Sequence, residues 1–258
     1  MKEVKETPME ACESCAFYNA AQLKKLGVNV ENADFVVALA GNPNTGKSTV
    51  FNALTGLRQH TGNWAGKTVT RAEGGFSYNE KRYKLIDLPG TYSLLSTSED
   101  EEVARNFILF GRPDVTVIVA DASRLERNLN LVLQVLEITD KAVLCLNLMD
   151  EAKRHGISID DRTLAKDLGI PVVVTSARSG EGIPELIKVI AQVASGEIVC
   201  KPHKIKNLNS KVSEAVEELS SKLLKAYPGL PNSRWVAMRL LDGDQRILSA
   251  LKEGELVA

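Results

Sequence analysis

A chain of 258 residues with 44% hydrophobic and 25% charged side chains has room for one globular domain of ordinary size and a smaller appendage. Its formal net charge of -1, with both signs interspersed, gives no overall field that would draw it to nucleic acid or to an anionic membrane surface. No apolar run approaches the roughly eighteen residues of a membrane span, and residues 1–13 are charged and lack the apolar centre of a signal peptide, so a soluble, cytoplasmic chain is expected.

The four cysteines, Cys12, Cys15, Cys145 and Cys200, are too few and too irregularly spaced for a disulfide framework. Cys145 sits in an apolar strand pattern and reads as a small buried residue. Cys12-Glu13-Ser14-Cys15 is a C-x-x-C pair that could hold a metal or cycle between thiol and disulfide if a second pair or a partner molecule completed it. No second pair exists, so residues 1–33 read as an extension without a catalytic role, with a short helical pattern over residues 16–26.

Residues 35–40 form a continuous apolar strand pattern, and residues 48–54 carry helical spacing through Val50, Ala53 and Leu54. Between them lies Gly41-Asn42-Pro43-Asn44-Thr45-Gly46-Lys47-Ser48, a G-x-x-x-x-G-K-S run. The spacing follows from chemistry, because a polyphosphate must sit where several backbone N–H groups converge and glycine lets the backbone approach. Lys47 can reach the β- and γ-phosphates, Ser48 can give its hydroxyl to magnesium, and the helix that follows points its positive end at the anion. Thr49 continues the run. The stretch therefore suits a nucleoside triphosphate with Mg2+.

Residues 57–70 form a polar, glycine-containing segment too long for a tight turn, and loops beside a phosphate site often move. Within it, Thr68 can reach the metal and the γ-phosphate; taken alone it is an ordinary surface threonine of a strand. Strands over residues 69–78 and 82–86 read as a hairpin closed at Asn79-Glu80. The second strand ends in Asp87-Leu88-Pro89-Gly90. A carboxylate there can hold a magnesium-bound water, and Gly90 can give an N–H to the γ-phosphate. The acids of Ser98-Glu99-Asp100-Glu101-Glu102 suit a helix start, where each gains roughly 0.3–1 kcal/mol from the dipole, and need no other role. A strand over residues 115–120 ends at Asp121, and residues 125–138 return to helical spacing. This alternation marks a parallel sheet covered by helices.

The next strand, residues 142–146, ends in Asn147-Leu148-Met149-Asp150. An aspartate facing a purine can accept two hydrogen bonds from guanine and repels the acceptor edge of adenine; the plain alternative is an Asn/Asp pair capping a loop. After a last strand at residues 171–175 comes Ser176-Ala177-Arg178, where the Ala177 N–H can meet the keto oxygen of guanine. A helix over residues 183–193 closes this unit, and beyond Gly196 three helical patterns follow without strands.

Together the motifs resemble the amino-terminal cytosolic G domain of the bacterial ferrous iron transport protein B family. The carriers are the 41–48 run, Gly62-Asn63-Trp64-Ala65-Gly66-Lys67-Thr68-Val69, Asp87-Leu88-Pro89-Gly90-Thr91-Tyr92-Ser93-Leu94, and Asn147-Leu148-Met149-Asp150. The resemblance covers about residues 35–251. It implies a Ras-like P-loop GTPase with a mixed, mostly parallel six-stranded sheet over residues 34–196. It also implies a helical subdomain at 197–258 that inhibits nucleotide release and leads to a membrane domain absent from this chain. It implies potassium activation, with Asn44 as a side-chain ligand and Gly62 and Trp64 as backbone carbonyl ligands. Such a cation supplies the charge that an arginine finger supplies elsewhere. Thr91 stands where many G proteins have a catalytic glutamine, and Leu148 replaces the lysine common in N-K-x-D, which implies a weaker base clamp.

The expected partners are accordingly GTP and GDP, the absent membrane domain, and a small cytosolic protein or a second copy of the chain, without nucleic acid. The expected location is the cytoplasmic face of the bacterial inner membrane. Two other readings stand beside this one: a GTPase acting on the ribosome or transfer RNA, and a metal sensor built on Cys12 and Cys15 with the G domain as scaffold.

Overall fold

The computed structural model describes residues 23–30, 33–57, 59–95, 98–204 and 209–252. Cys12, Cys15 and most of the helical pattern expected at 16–26 lie outside these residues. Seven strands form one sheet: β1 (Phe35–Gly41), β2 (Gln59–Asn63), β3 (Thr70–Tyr78), β4 (Lys81–Asp87), β5 (Val115–Asp121), β6 (Ala142–Asn147) and β7 (Val172–Val174). Their spatial order is β2-β3-β4-β1-β5-β6-β7. The β4, β1, β5, β6 and β7 ladders are parallel, and β2 and β3 add on antiparallel at one edge.

The sheet is thus mixed and mostly parallel, as the sequence suggests, but has seven strands where six were expected. The additional one is β2, inside the segment read as a loop. His60, Thr61, Gly62 and Asn63 are all exposed, so this edge strand carries no hydrophobic alternation, and its pairing with residues 70–74 of β3 is what defines it. The expected hairpin forms. Asn79 (φ 46°) and Glu80 (φ 61°) both adopt left-handed backbone, the requirement of a two-residue turn that matches strand twist.

The connecting helices are α1 (Lys47–Thr55), α2 (Glu99–Gly111), α3 (Leu125–Ile138), α4 (Met149–Arg154), α5 (Asp161–Leu168) and α6 (Ile183–Ala194). Period-two alternation sends Val37, Leu39, Leu85, Val117, Val119, Val143 and Cys145 to one face of the sheet, where Val50 and Phe51 of α1 and Leu186 and Ile190 of α6 cover them. The opposite face, with Ala38, Ile86, Ile118 and Leu144, is covered by Phe107 and Ile108 of α2 and by Val132 and Val135 of α3. Because both faces are covered, β1, β5 and β6 read as unbroken apolar runs.

Three further helices follow, α7 (Ser210–Ala226), α8 (Ser233–Leu241) and α9 (Gln245–Lys252). Their buried residues Val216, Trp235, Val236 and Ile247 join the cluster on the α2/α3 face, so this appendage shares a core with the sheet. Asn232 fastens the junction: its side-chain oxygen accepts the Trp235 N–H at the start of α8, while its nitrogen donates to the carbonyls of Glu137 and Ile138 at the end of α3, at 2.8 and 3.2 Å.

Cys145 is buried as expected, and burial pushes its thiol up to about 12. The thiolate is the reactive form, so native protein at pH 8 should leave Cys145 unmodified by iodoacetamide while protein in urea is modified, read by peptide mass spectrometry. Prompt labelling in the native state would show that β6 opens locally.

Candidate nucleotide-binding site

Parallel pairing brings the carboxyl ends of β1, β4, β5 and β6 to one rim of the sheet, where open α/β sheets take their ligands. Residues 41–48 leave β1 at this rim and enter α1. Asn44 (φ 66°) and Gly46 (φ 77°) hold left-handed backbone. Gly46 also has no room for a side chain, since a Cβ would lie 2.5 Å from Asn147 Nδ2. Thr45 Oγ1 donates to the Asn42 carbonyl at 2.9 Å and tightens the loop. The start of α1 has neither a capping side chain nor an acidic residue in its first turn, so its amide donors and the positive end of its dipole are uncompensated. Asn42 is buried and its amide nitrogen has no partner among the described residues. These are the features of an anion cradle.

Lys47 forms an ion pair with Asp87 and donates to the Leu88 carbonyl at 2.7 Å. Burial raises the Asp87 carboxyl above its ordinary range, opposed by the Lys47 charge. The rest of the 87–91 segment lies along the loop. Leu88 N–H donates to the Leu39 carbonyl at 3.0 Å and Thr91 N–H to that of Gly41 at 3.3 Å, and a Cβ on Gly90 would meet the Pro43 backbone at 3.5 Å. Ser48 and Thr49 are exposed at the helix start. Among the described residues no cluster of three or more His, Cys, Asp or Glu could hold a metal, so Ser48 and Asp87 fit Mg2+ only if phosphate oxygens complete its shell.

Asn147 draws three segments together. Its Nδ2 donates to the Thr45 carbonyl at 3.0 Å, and its Oδ1 accepts from Ala177 N–H at 3.0 Å and Thr175 Oγ1 at 3.2 Å. The Ala177 N–H, expected to face a base, is directed to Asn147 in this arrangement. Thr175 was missed in the sequence, where a hydroxyl at a strand end carries no special signal. Leu148 takes left-handed backbone (φ 60°) to start α4, which buries Met149 and leaves Asp150 exposed beside Arg154 at 3.5 Å. Ser176 is buried and Arg178 is exposed.

The residues of the 57–70 segment stand apart from this cradle in their contacts. Thr68 Oγ1 donates to Glu99 at 3.1 Å, and Lys67 pairs with Glu102 at 3.5 Å. The acids at the start of α2 therefore hold this segment as well as favouring the helix dipole. Gly62 lies in the β2/β3 ladder opposite Arg71, and the Trp64 carbonyl accepts the Lys67 N–H at 3.0 Å. Trp64 itself is a core residue, its ring 5.3 Å from that of Phe107 and edge-on to it, under the Arg71 guanidinium.

Comparison with known proteins matches residues 35–190 to the family described as ferrous iron transport protein B, and residues 209–258 to the FeoB cytosolic helical domain. The chain belongs to the FeoB family. It is 41% identical over 212 residues to the Fe(2+) transporter FeoB of Escherichia coli strain K12, an alignment covering 81% of this chain and 27% of that protein. The chain thus spans little more than a quarter of the length of the FeoB proteins it matches. Its fold is similar to that of the cytosolic domain of T. maritima FeoB in a GDP form, with a TM-score of 0.77 and 41% identity over 83% of this chain and 84% of that one. The cytosolic domain of L. pneumophila FeoB is also similar, with a TM-score of 0.72 and 35% identity over 86% and 94%. The fold is accordingly the Ras-like P-loop fold of FeoB G domains, with a helical carboxyl-terminal part. No helix among the described residues is long and apolar enough to cross a membrane.

Proposed function

We propose that this FeoB chain binds GTP at the rim of the sheet, hydrolyses it, and thereby regulates or drives ferrous iron uptake through a membrane domain outside the chain. The single observation that carries the reading is the meeting of three separate segments, 41–48, 87–91 and 147–150 with 175–177, around one uncapped helix start. Such a rim suits a nucleotide whose phosphates lie on the 41–48 amides and whose base lies toward Asn147 and Asp150. That the cytosolic domain of T. maritima FeoB has been solved in GDP and GMPPNP forms supports a guanine nucleotide here as well.

In this reading residues 34–196 are the G domain, residues 197–258 the helical subdomain and residues 1–33 an extension. Lys47 leaves Asp87 for the β- and γ-phosphates and neutralises charge that develops in the transition state. Asp87, released from Lys47, would hold Mg2+ through a water, and Ser48 and Thr68 would offer it their hydroxyls. Gly90 gives its N–H to the γ-phosphate. Thr68 would have to exchange its bond to Glu99 for the metal, an order-changing step typical of such switches. Asp150 would turn from Arg154 to the base, and Ala177 would share or transfer its N–H from Asn147. Asn42, Pro43, Thr45, Thr49, Met149, Ser176 and Arg178 frame the nucleotide.

Potassium activation is part of the proposal. Asn44 is exposed at the loop's left-handed turn, which suits a side-chain ligand, whereas Gly62 and the Trp64 carbonyl are bonded elsewhere. Gathering the three around a cation requires the 57–70 segment to leave its β2 pairing. The test is GTP turnover in potassium and in sodium chloride at equal ionic strength, with ATP as control. Potassium should stimulate, Asn44→Ala should remove the stimulation, and Asp150→Ala should remove the preference for GTP over ATP, about a hundredfold or more. Equal rates in the two salts would withdraw the cation role of Asn44, Gly62 and Trp64. Retained GTP selectivity in Asp150→Ala would withdraw the base assignment.

A further inference from the structure

Away from the rim, a cavity of about 690 Å3 opens between the segment before β1, the stretch after β2, helix α2 and helix α9. It shares only Trp64 with the residues assigned to nucleotide and cations. Its volume falls in the range that holds small organic ligands. Trp64, Val103 and Phe110 form an apolar wall, and Asn106 and Ser249 add hydrogen-bonding groups.

The charges of the lining decide what would fit. Three cations, Lys25, Lys67 and Arg246, face a single carboxylate, Glu102, which leaves two positive charges in excess. Glu102 holds Lys67 at 3.5 Å from one side and Arg246 at 3.2 Å from the other, so two cations from separate segments are already positioned around one point. Lys25 has no acidic partner among the described residues and is free to turn inward. An excess of two matches the charge of a phosphate monoester at neutral pH, about −1.5 to −2, and Arg246 offers the planar fork that suits phosphate oxygens.

We propose that this cavity binds a small phosphate monoester carrying an apolar body, the phosphate between Lys67 and Arg246 and the body against Trp64 and Phe110. Such a ligand would draw Lys67 and Arg246 away from Glu102. Because Lys67 immediately precedes Thr68, occupancy would be linked to nucleotide state, each ligand altering the affinity of the other by the same factor. That linkage rests on the proposed GTPase reading; the binding itself does not.

The test uses phenyl phosphate as probe, titrated calorimetrically into the full chain with and without excess GDP. Saturable one-to-one binding is expected, unchanged in Lys47→Ala, which removes the principal cation of the rim site. Arg246→Gln should weaken it at least about tenfold. Ser249→Trp, a change at an exposed position that places an indole in the cavity and keeps every charge, should weaken it at least about tenfold. Inorganic phosphate and phenol, each half of the probe, should bind far more weakly. Absence of saturation at millimolar phenyl phosphate would overturn the proposal. So would binding that is lost in Lys47→Ala and kept in Ser249→Trp, which would assign the probe to residues 41–48. A chain that fails to turn over GTP leaves these titrations unaffected, so the two readings fail separately.

Discussion

Replacing Lys47 by alanine is expected to lower GTP turnover by roughly 10²–10³-fold, the effect of removing one preorganised donor from developing transition-state charge. The same change should destabilise the fold, because Asp87 is left mostly buried without its partner, a loss of about 1–3 kcal/mol. The pH dependence separates this second effect from the first. Burial holds the folded-state pKa of Asp87 above its ordinary value even with Lys47 present, and removing the ammonium lets it rise further. A raised folded-state pKa contributes stability that is complete below the unfolded value, about 3.9, and lost as pH rises through the folded value. The deficit of Lys47→Ala relative to the parent should therefore be largest at neutral pH and shrink toward pH 4 in urea unfolding. A deficit independent of pH would mean that Asp87 finds another partner.

The second large effect is expected far from the nucleotide rim. Arg105 of α2 is fully buried, and its guanidinium lies 3.5 Å from Asp244, just before α9, whose carboxylate also takes Arg239 at 3.3 Å. Burial lowers the Arg105 pKa to about 10, with Asp244 and Glu102 opposing, so it remains charged at neutral pH. Asp244→Ala strands that charge in the core and should destabilise the chain by about 3–5 kcal/mol. Arg105→Met combined with Asp244→Asn removes both charges, keeps a side-chain oxygen for the Arg246 and Ile247 N–H groups at the start of α9, and leaves Arg239 with Asp242 at 2.7 Å, so most of the loss should be recovered. Thermal unfolding of the three proteins checks this. A double variant as unstable as Asp244→Ala would show that packing, not the uncompensated charge, is what the core lost.

What the sequence made legible followed from local chemistry. The 41–48 loop, the Asp87-to-Gly90 turn, the apolar strands β1, β5 and β6, and α3 declare themselves by spacing and periodicity, and their bounds agree with the structure to within a residue or two. β2 did not, because His60, Thr61, Gly62 and Asn63 of this edge strand are all exposed, and it exists through its partner in β3. α4 and α5 are short and largely polar, so their spacing was too thin to read. Trp64 was assigned through its carbonyl alone, although a large aromatic in a polar stretch is itself a sign of a buried anchor. Arg105 was invisible for another reason. Within Glu99–Gly111 it is one charge among many, and its partner lies 139 residues further on.

That separation bears on how the chain is made. At roughly 5–20 residues per second, a ribosome needs about 7–28 s to travel from Arg105 to Asp244. Throughout that interval α2 must either keep its guanidinium in water or seat it against the growing sheet without the Asp244 carboxylate, with Asn106 as its side-chain hydrogen-bond partner. Emergence of Asp244 therefore helps α2 to settle, and the start of α9 acts on the nascent protein as a late latch for an element synthesised long before it.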